Sequence, residues 1–240
     1  MALPEIAISG VSIVVRGAYN PAIFSPSWLL HTELIGTTEY DAANVEIVSS
    51  GLTIIQADWL RLQAATDFFN VSTIDPKEFG RTRDAAIGIL QELNSIPISV
   101  MGINREVHFH AKTESQWHAI GDALAPKSPW EDVMAAPGLL DLTILGYRND
   151  AQAGRVQAQV QPSARVKQGV FISHNDHYDL KKLDSPPDRL SAIEAIQQAP
   201  EVDIAKVLIA IEILNDEWEN SMERADAIIE NIAQLASQKP

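Results

Sequence analysis

The side chains best suited to chemistry in this 240-residue chain are histidines. His108 and His110 stand in "EVHFHA", and His174 and His177 flank Asn175-Asp176 in "SHNDHY". On a strand, His108 and His110 share one face about 7 Å apart, a spacing that two ligands of one metal can bridge. His174 and Asp176 also share a strand face, with His177 on the other. A strand ending near Asn175 would let a turn bring His177 round to them. Neutral imidazoles with a carboxylate suit Zn, Mn or Fe. Without a metal, His177 beside Asp176 makes an acid/base pair. The competing reading makes Asn175-Asp176 plain turn formers and the histidines packing residues. The metal centre therefore carries one condition: His108 and His110 must meet His174, Asp176 and His177 across neighbouring strands.

A second group of residues suits recognition. In "NPAIFSPSWLL", Pro21 and Pro26 fix an extended loop that offers Phe24 and Trp28 as apolar anchors. These face either a partner or the chain's own core. Trp130, in "APKSPW", carries the same ambiguity.

Composition narrows the remaining classes. The chain has no cysteine, which removes disulfides, thiolate metal sites and a Cys nucleophile. There is no Walker loop, G-x-G-x-x-G, G-x-S-x-G or H-E-x-x-H; no cofactor is expected. Lys and Arg number 18 against 32 acids, a formal net charge of −14. Such a field disfavours nucleic acid and anionic membrane and favours a basic partner. No apolar run approaches the roughly 20 residues that span a bilayer. The opening "MALPEIAISGVSIVV" lacks a basic n-region and reads as a strand, so the cytoplasm is the expected location.

The elements that position these residues follow from periodicity. "IAISGVSIVVRG" is β-branched and interrupted at Gly10, which suggests a bulge or a break between two short strands. "VEIVSSGLTIIQADWLRLQ" predicts two strands around Ser49-Ser50-Gly51. Asp75, Pro76 and Glu78 open a helix whose stripe runs through Phe79, Ala86, Ile87, Leu90 and Leu93. A strand follows in "IPISVMGINREVHFHA", and Thr113 and Ser128 each cap a short helix. Residues 139–177 read as an antiparallel meander, with Val156, Ala158 and Val160 alternating against polar neighbours. Pro186-Pro187-Asp188 opens a helix to about Ala199. From Asp203 a single helix of about nine turns is expected, with Ile204, Ile211, Trp218, Ala225 and Ile232 at seven-residue spacing. Together these predict one α+β domain: a curled antiparallel sheet with helices packed on one face and a long C-terminal helix. Residues 1–182 form its sheet-rich part and 186–238 its helical part.

The order of segments resembles a sporadically distributed, conserved-hypothetical family of bacterial proteins of about this length. The resemblance runs through "NPAIFSPSWL", "STIDPKEFGRTRDAAIGIL", "VMGINREVHFH" and "VFISHNDHYDL". Within it, Gly102-Ile103-Asn104 matches a strand motif and Asp176 matches the acidic end of a later strand. The resemblance implies an α+β fold in a bacterial cytosol and supplies no catalytic residue; its patchy distribution suits defence or mobile-element systems. The expected role is a non-enzymatic interaction subunit or adaptor that binds a protein partner or itself. The alternatives are a metal-dependent enzyme built on the His/Asp cluster and an acidic immunity protein or antitoxin that neutralises a basic partner.

Overall fold

The structure, a computed structural model, describes residues 5–148, 150, 152–182 and 201–237. Nine strands form one antiparallel sheet: β1 (Ile6–Gly17), β2 (Asn44–Val48), β3 (Leu52–Ala57), β4 (Leu60–Ala65), β5 (Phe68–Thr73), β6 (Ile98–His110), β7 (Leu142–Tyr147), β8 (Gln152–Pro162) and β9 (Gly169–Lys182). Their order is β2-β3-β4-β5-β1-β6-β9-β8-β7, so the sheet is open, with β2 and β7 at its edges. Two meanders, β2–β5 and β7–β9, are joined through β1 and β6, which pair with each other.

Six helices accompany the sheet among the described residues: α1 (Pro26–His31), α2 (Thr37–Asp41), α3 (Phe79–Glu92), α4 (Glu114–Leu124), α5 (Lys206–Asp216) and α6 (Trp218–Gln234). Their starts follow the sequence. The Ser25 hydroxyl accepts from the Trp28 amide, and Thr113 accepts from the Gln116 amide. Asp75 accepts from the Lys77 amide at a 3-10 turn, Pro76–Glu78, that leads into α3. Each cap satisfies an amide that the first helical turn leaves without a partner.

The helix-covered face of the sheet carries two apolar clusters. The larger joins Val11, Ile13 and Val15 of β1 to Ala86, Ile89 and Leu90 of α3 and to Val207, Ala210 and Leu214 of α5. The smaller joins Val107, Phe109, Val160, Val170 and Ile172 to Ile120 of α4 and to Ile229 and Ile232 of α6.

Four expectations need correction. β1 runs unbroken through Gly10, where a Cβ would press on the Glu106 side chain at 3.1–3.2 Å; its register shifts against β6 fall instead near its two ends, between Ile6 and Ile8 and between Arg16 and Gly17. The "LTIIQADWLRLQ" segment is a hairpin rather than one strand, turning at Asp58 with φ of 52°. No helix follows Ser128; residues there form turns, and an isolated short helix with no face to bury is marginal. The long C-terminal helix is two helices, α5 and α6, bent at Glu217 (φ −107°, ψ −2°). Asn215-Asp216, both poor helix formers, precede the bend. It lets α5 and the start of α6, Trp218 and Met222, pack on the larger cluster and the later turns of α6 on the smaller. The helix expected at 186–199 lies outside the described residues.

Candidate functional site

The β6–β9 register decides the histidine question. His108 lies opposite Phe171 and His110 opposite Gly169, whereas His174 lies opposite Arg105 and His177 opposite Gly102. Since β9 continues to Lys182 between β6 and β8, no turn occurs at Asn175. His177 therefore shares a face with His108 but sits six positions along the strand, about 20 Å away. His174 and Asp176 occupy the opposite, helix-covered face. His108 instead places Nδ1 2.8 Å from the Ser163 hydroxyl and rests its ring on Phe171. Burial, reinforced by Arg165, lowers its pKa, and Glu106 opposes. His110 is exposed, and His177 lies 3.3 Å from Asp179. Among the described residues no three His, Cys, Asp or Glu side chains are placed to hold a metal ion. The five residues do not form one site.

The apolar anchors also separate. Phe24 is buried, edge-on to Tyr19 and Trp28, and Trp28 packs against the same core. Their loop is folded inward, so Phe24 is not a surface anchor. Trp130 is half exposed.

What the helix-covered face holds between its two apolar clusters is a charged seam. Asp176 and His174 of β9 are fully buried, as is Tyr178. Arg224 of α6 grips Asp176 through Nε and Nη2, at 3.1 and 2.8 Å to Oδ2. Arg148, following β7, places Nη1 3.3 Å from Asp176 Oδ1 and lies over the Tyr178 ring at 3.8 Å. It donates to the Tyr178 hydroxyl and pairs with Asp150. His174 Nε2 is 3.7 Å from Asp176 Oδ1. At the margin, Arg105 reaches Asp226 of α6 at 3.8 Å.

Burial sets the proton affinities here. It pushes His174 below the ordinary imidazole value; Arg224 and Arg148 add to this and Asp176 opposes. It raises the Tyr178 phenol strongly, only partly offset by Arg148. Burial would raise Asp150, but hydrogen bonding and charge from Arg148 hold it below the usual carboxylate range. The seam accordingly contains a neutral imidazole, a protonated phenol and a carboxylate held by two guanidiniums. The imidazole, the phenol and that carboxylate lie fully buried, away from any substrate in solvent, so the arrangement is a clamp joining α6 to the sheet. Four of its atoms lack a hydrogen-bond partner, namely Arg148 Nη1, Asp176 Oδ1 and both His174 nitrogens; on α6, the buried Ser221 Oγ lacks one too.

Sequence reasoning missed Arg148, Asp150, Tyr178, Ser221 and Arg224. Two signals were present. Ser221 is polar on the apolar stripe of the terminal helix, and Arg224 is a cation among the acids that dominate it.

The other unusual region is the arch between α4 and β7, residues 125–141. Its backbone turns at Lys127–Met134, where the Val133 and Met134 amides both donate to the Trp130 carbonyl. Ala136 takes a φ of 49°. The arch exposes Trp130 at 50%, Val133 at 76%, Met134 at 48% and Leu140 at 82%. No protein-family model matches the chain, and no curated protein matches it significantly.

Proposed function

We propose that the chain is a non-enzymatic interaction subunit of a bacterial cytosolic assembly and that the arch, with Trp130, is its partner surface. The observation carrying this reading is the exposure of four large apolar side chains within eleven residues, a local concentration of exposed apolar groups of the kind that interaction sites carry. Tryptophan is moreover among the residues most enriched at binding hot spots. Edge strand β2 also exposes Val45, Ile47 and Val48. Its centre, however, carries the charged Glu46, paired with Arg61, and a register shift between Val45 and Ile47. Charge and bulges are the devices that blunt a strand edge against pairing. The arch forms no strand ladder, and its four apolar side chains stay exposed beside Glu131 and Asp132.

The test is affinity isolation with the purified chain as bait, comparing wild type with the triple variant Trp130→Ser, Val133→Ser, Leu140→Ser. A stoichiometric protein retained by wild type and lost by the folded variant is the expected result. Retention of the same protein by both baits, or no partner for wild type, overturns the reading.

A further inference from the structure

Beneath the arch lies a cleft of about 380 Å³, within the range of small-molecule and anchor pockets. Val160 and Pro162 of β8 and Val170 of β9 line it, with Trp117 and Ile120 of α4 and Leu139 of the arch. The Trp117 indole N–H already donates to the Gly169 carbonyl at 3.0 Å, which leaves the cleft its apolar ring. Several of these walls belong to the smaller apolar cluster, so the cleft opens directly onto the core's edge.

Its rim is acidic. Asp122 and Glu131 stand at the opening, and Asp132 follows on the arch; all three are exposed. The nearby cation is Lys127, and its ammonium is turned inward. It donates to the carbonyls of Gly121 at 3.2 Å and Ala125 at 2.7 Å, lies 3.6 Å from Asp122, and its side chain is only 14% exposed. Among the described residues lining the cleft, Lys127 is committed to two carbonyls and to Asp122, and His118 lies 3.7 Å from Glu114, so a cation approaching the opening meets Glu131, with Asp132 next to it in the chain.

We infer that this cleft is an anchor pocket for a large apolar side chain of the partner, and that the residues flanking that anchor are lysine or arginine. The inference rests on the arch being the partner surface. Apolar walls select the anchor, since burying such a side chain supplies most of the energy at an interface centre. The acidic rim, within a chain of net charge −14, selects basic flanks and speeds their approach.

Gly121 provides a place from which to fill the pocket. A Cβ there meets the Leu139 Cβ at 3.5 Å, an ordinary contact, so Gly121→Leu projects into the cleft. It also replaces a poor helix former within α4. The probes are fluorescein-labelled peptides KKLWLKK, EELWLEE and KKSGSKK, followed by fluorescence anisotropy. Expected is binding of KKLWLKK at least roughly tenfold tighter than either control, weakened as salt screens the rim. Gly121→Leu reduces that binding by roughly tenfold or more while its melting temperature is unchanged or raised. Equal binding of KKLWLKK and KKSGSKK, equal binding of the lysine and glutamate peptides, no binding of KKLWLKK, or normal binding to Gly121→Leu each overturns the inference. If the arch variant loses the isolated partner while Gly121→Leu keeps it, the pocket is wrong and the arch reading stands. If the arch variant keeps the partner, the arch reading itself fails.

Discussion

The charged seam under α6 and the apolar arch beyond α4 depart from ordinary side-chain distribution in opposite directions. In the seam, charged and polar groups lie buried: Asp176 is gripped by Arg148 and Arg224, with neutral His174 and Tyr178 packed around it. In the arch, Trp130, Val133, Met134 and Leu140 face solvent. A buried polar group and an exposed apolar patch are the two observations that most need a physical account. The seam supplies its own, because each buried charge has an opposite charge within the fold. The arch does not, because nothing within the described chain covers it. His174 and Asp176, which look chemical by type, are thus held inside the fold, and the proposed partner surface draws on residues that look like misplaced core.

The largest expected effect lies in the seam. Asp176→Ala takes away the buried carboxylate that both Arg148 and Arg224 hold and leaves them to share Asp150, which lies nearer the surface. Removing one partner of a buried ion pair costs about 3–5 kcal/mol. Urea unfolding of the variant measures it, and a loss under about 1 kcal/mol would show that the guanidiniums find other acids.

A smaller effect follows from His174. Its pKa is lowered in the folded chain, so between that value and the ordinary one, about 6.5, the unfolded chain binds a proton that the folded chain refuses. Stability from this group is present above about pH 6.5 and is lost as pH falls through it. The midpoint in urea therefore drops from about pH 7.5 to about pH 5.5, and His174→Gln flattens part of that slope. His108, shifted in the same direction, supplies a remainder. An unchanged slope in His174→Gln would contradict the placement of His174 in the seam.

Ser221→Ala, on the buried face of α6, is milder still. Its hydroxyl is buried without a partner, so removing it leaves stability equal or raises it by up to about 1 kcal/mol. A marked destabilisation would show that the hydroxyl is bonded.

Much of the scaffold was legible locally. The caps at Ser25 aside, those at Asp75 and Thr113, the strand Ile98–His110 and the meander β7–β9 all follow from turn chemistry and period-two alternation. The seven-residue stripe marks real burial at Trp218, Ala225 and Ile232, whereas Ile204 precedes α5 and is exposed, and the helix bends at Glu217. What local pattern does not carry is pairing between distant segments. Nothing near His108 states that Phe171, and not His174, lies across from it. Nothing near Asp176 points to Arg224, 48 residues on, or to Arg148 from the strand beyond β8. Trp28 and Trp130 show the same limit: both follow a proline closely, yet one joins the core and the other remains at the surface.

The division of labour between seam and arch is tested most directly by measuring stability and partner affinity on the same two variants. Arg224→Met removes the seam's link to α6, and the triple arch variant removes Trp130, Val133 and Leu140. The account predicts that Arg224→Met lowers stability and keeps partner affinity near wild type. It predicts that the arch variant stays within about 0.5 kcal/mol of wild-type stability, as surface substitutions do, and loses the partner. Partner binding that survives in the arch variant but disappears in a folded Arg224→Met protein would contradict it.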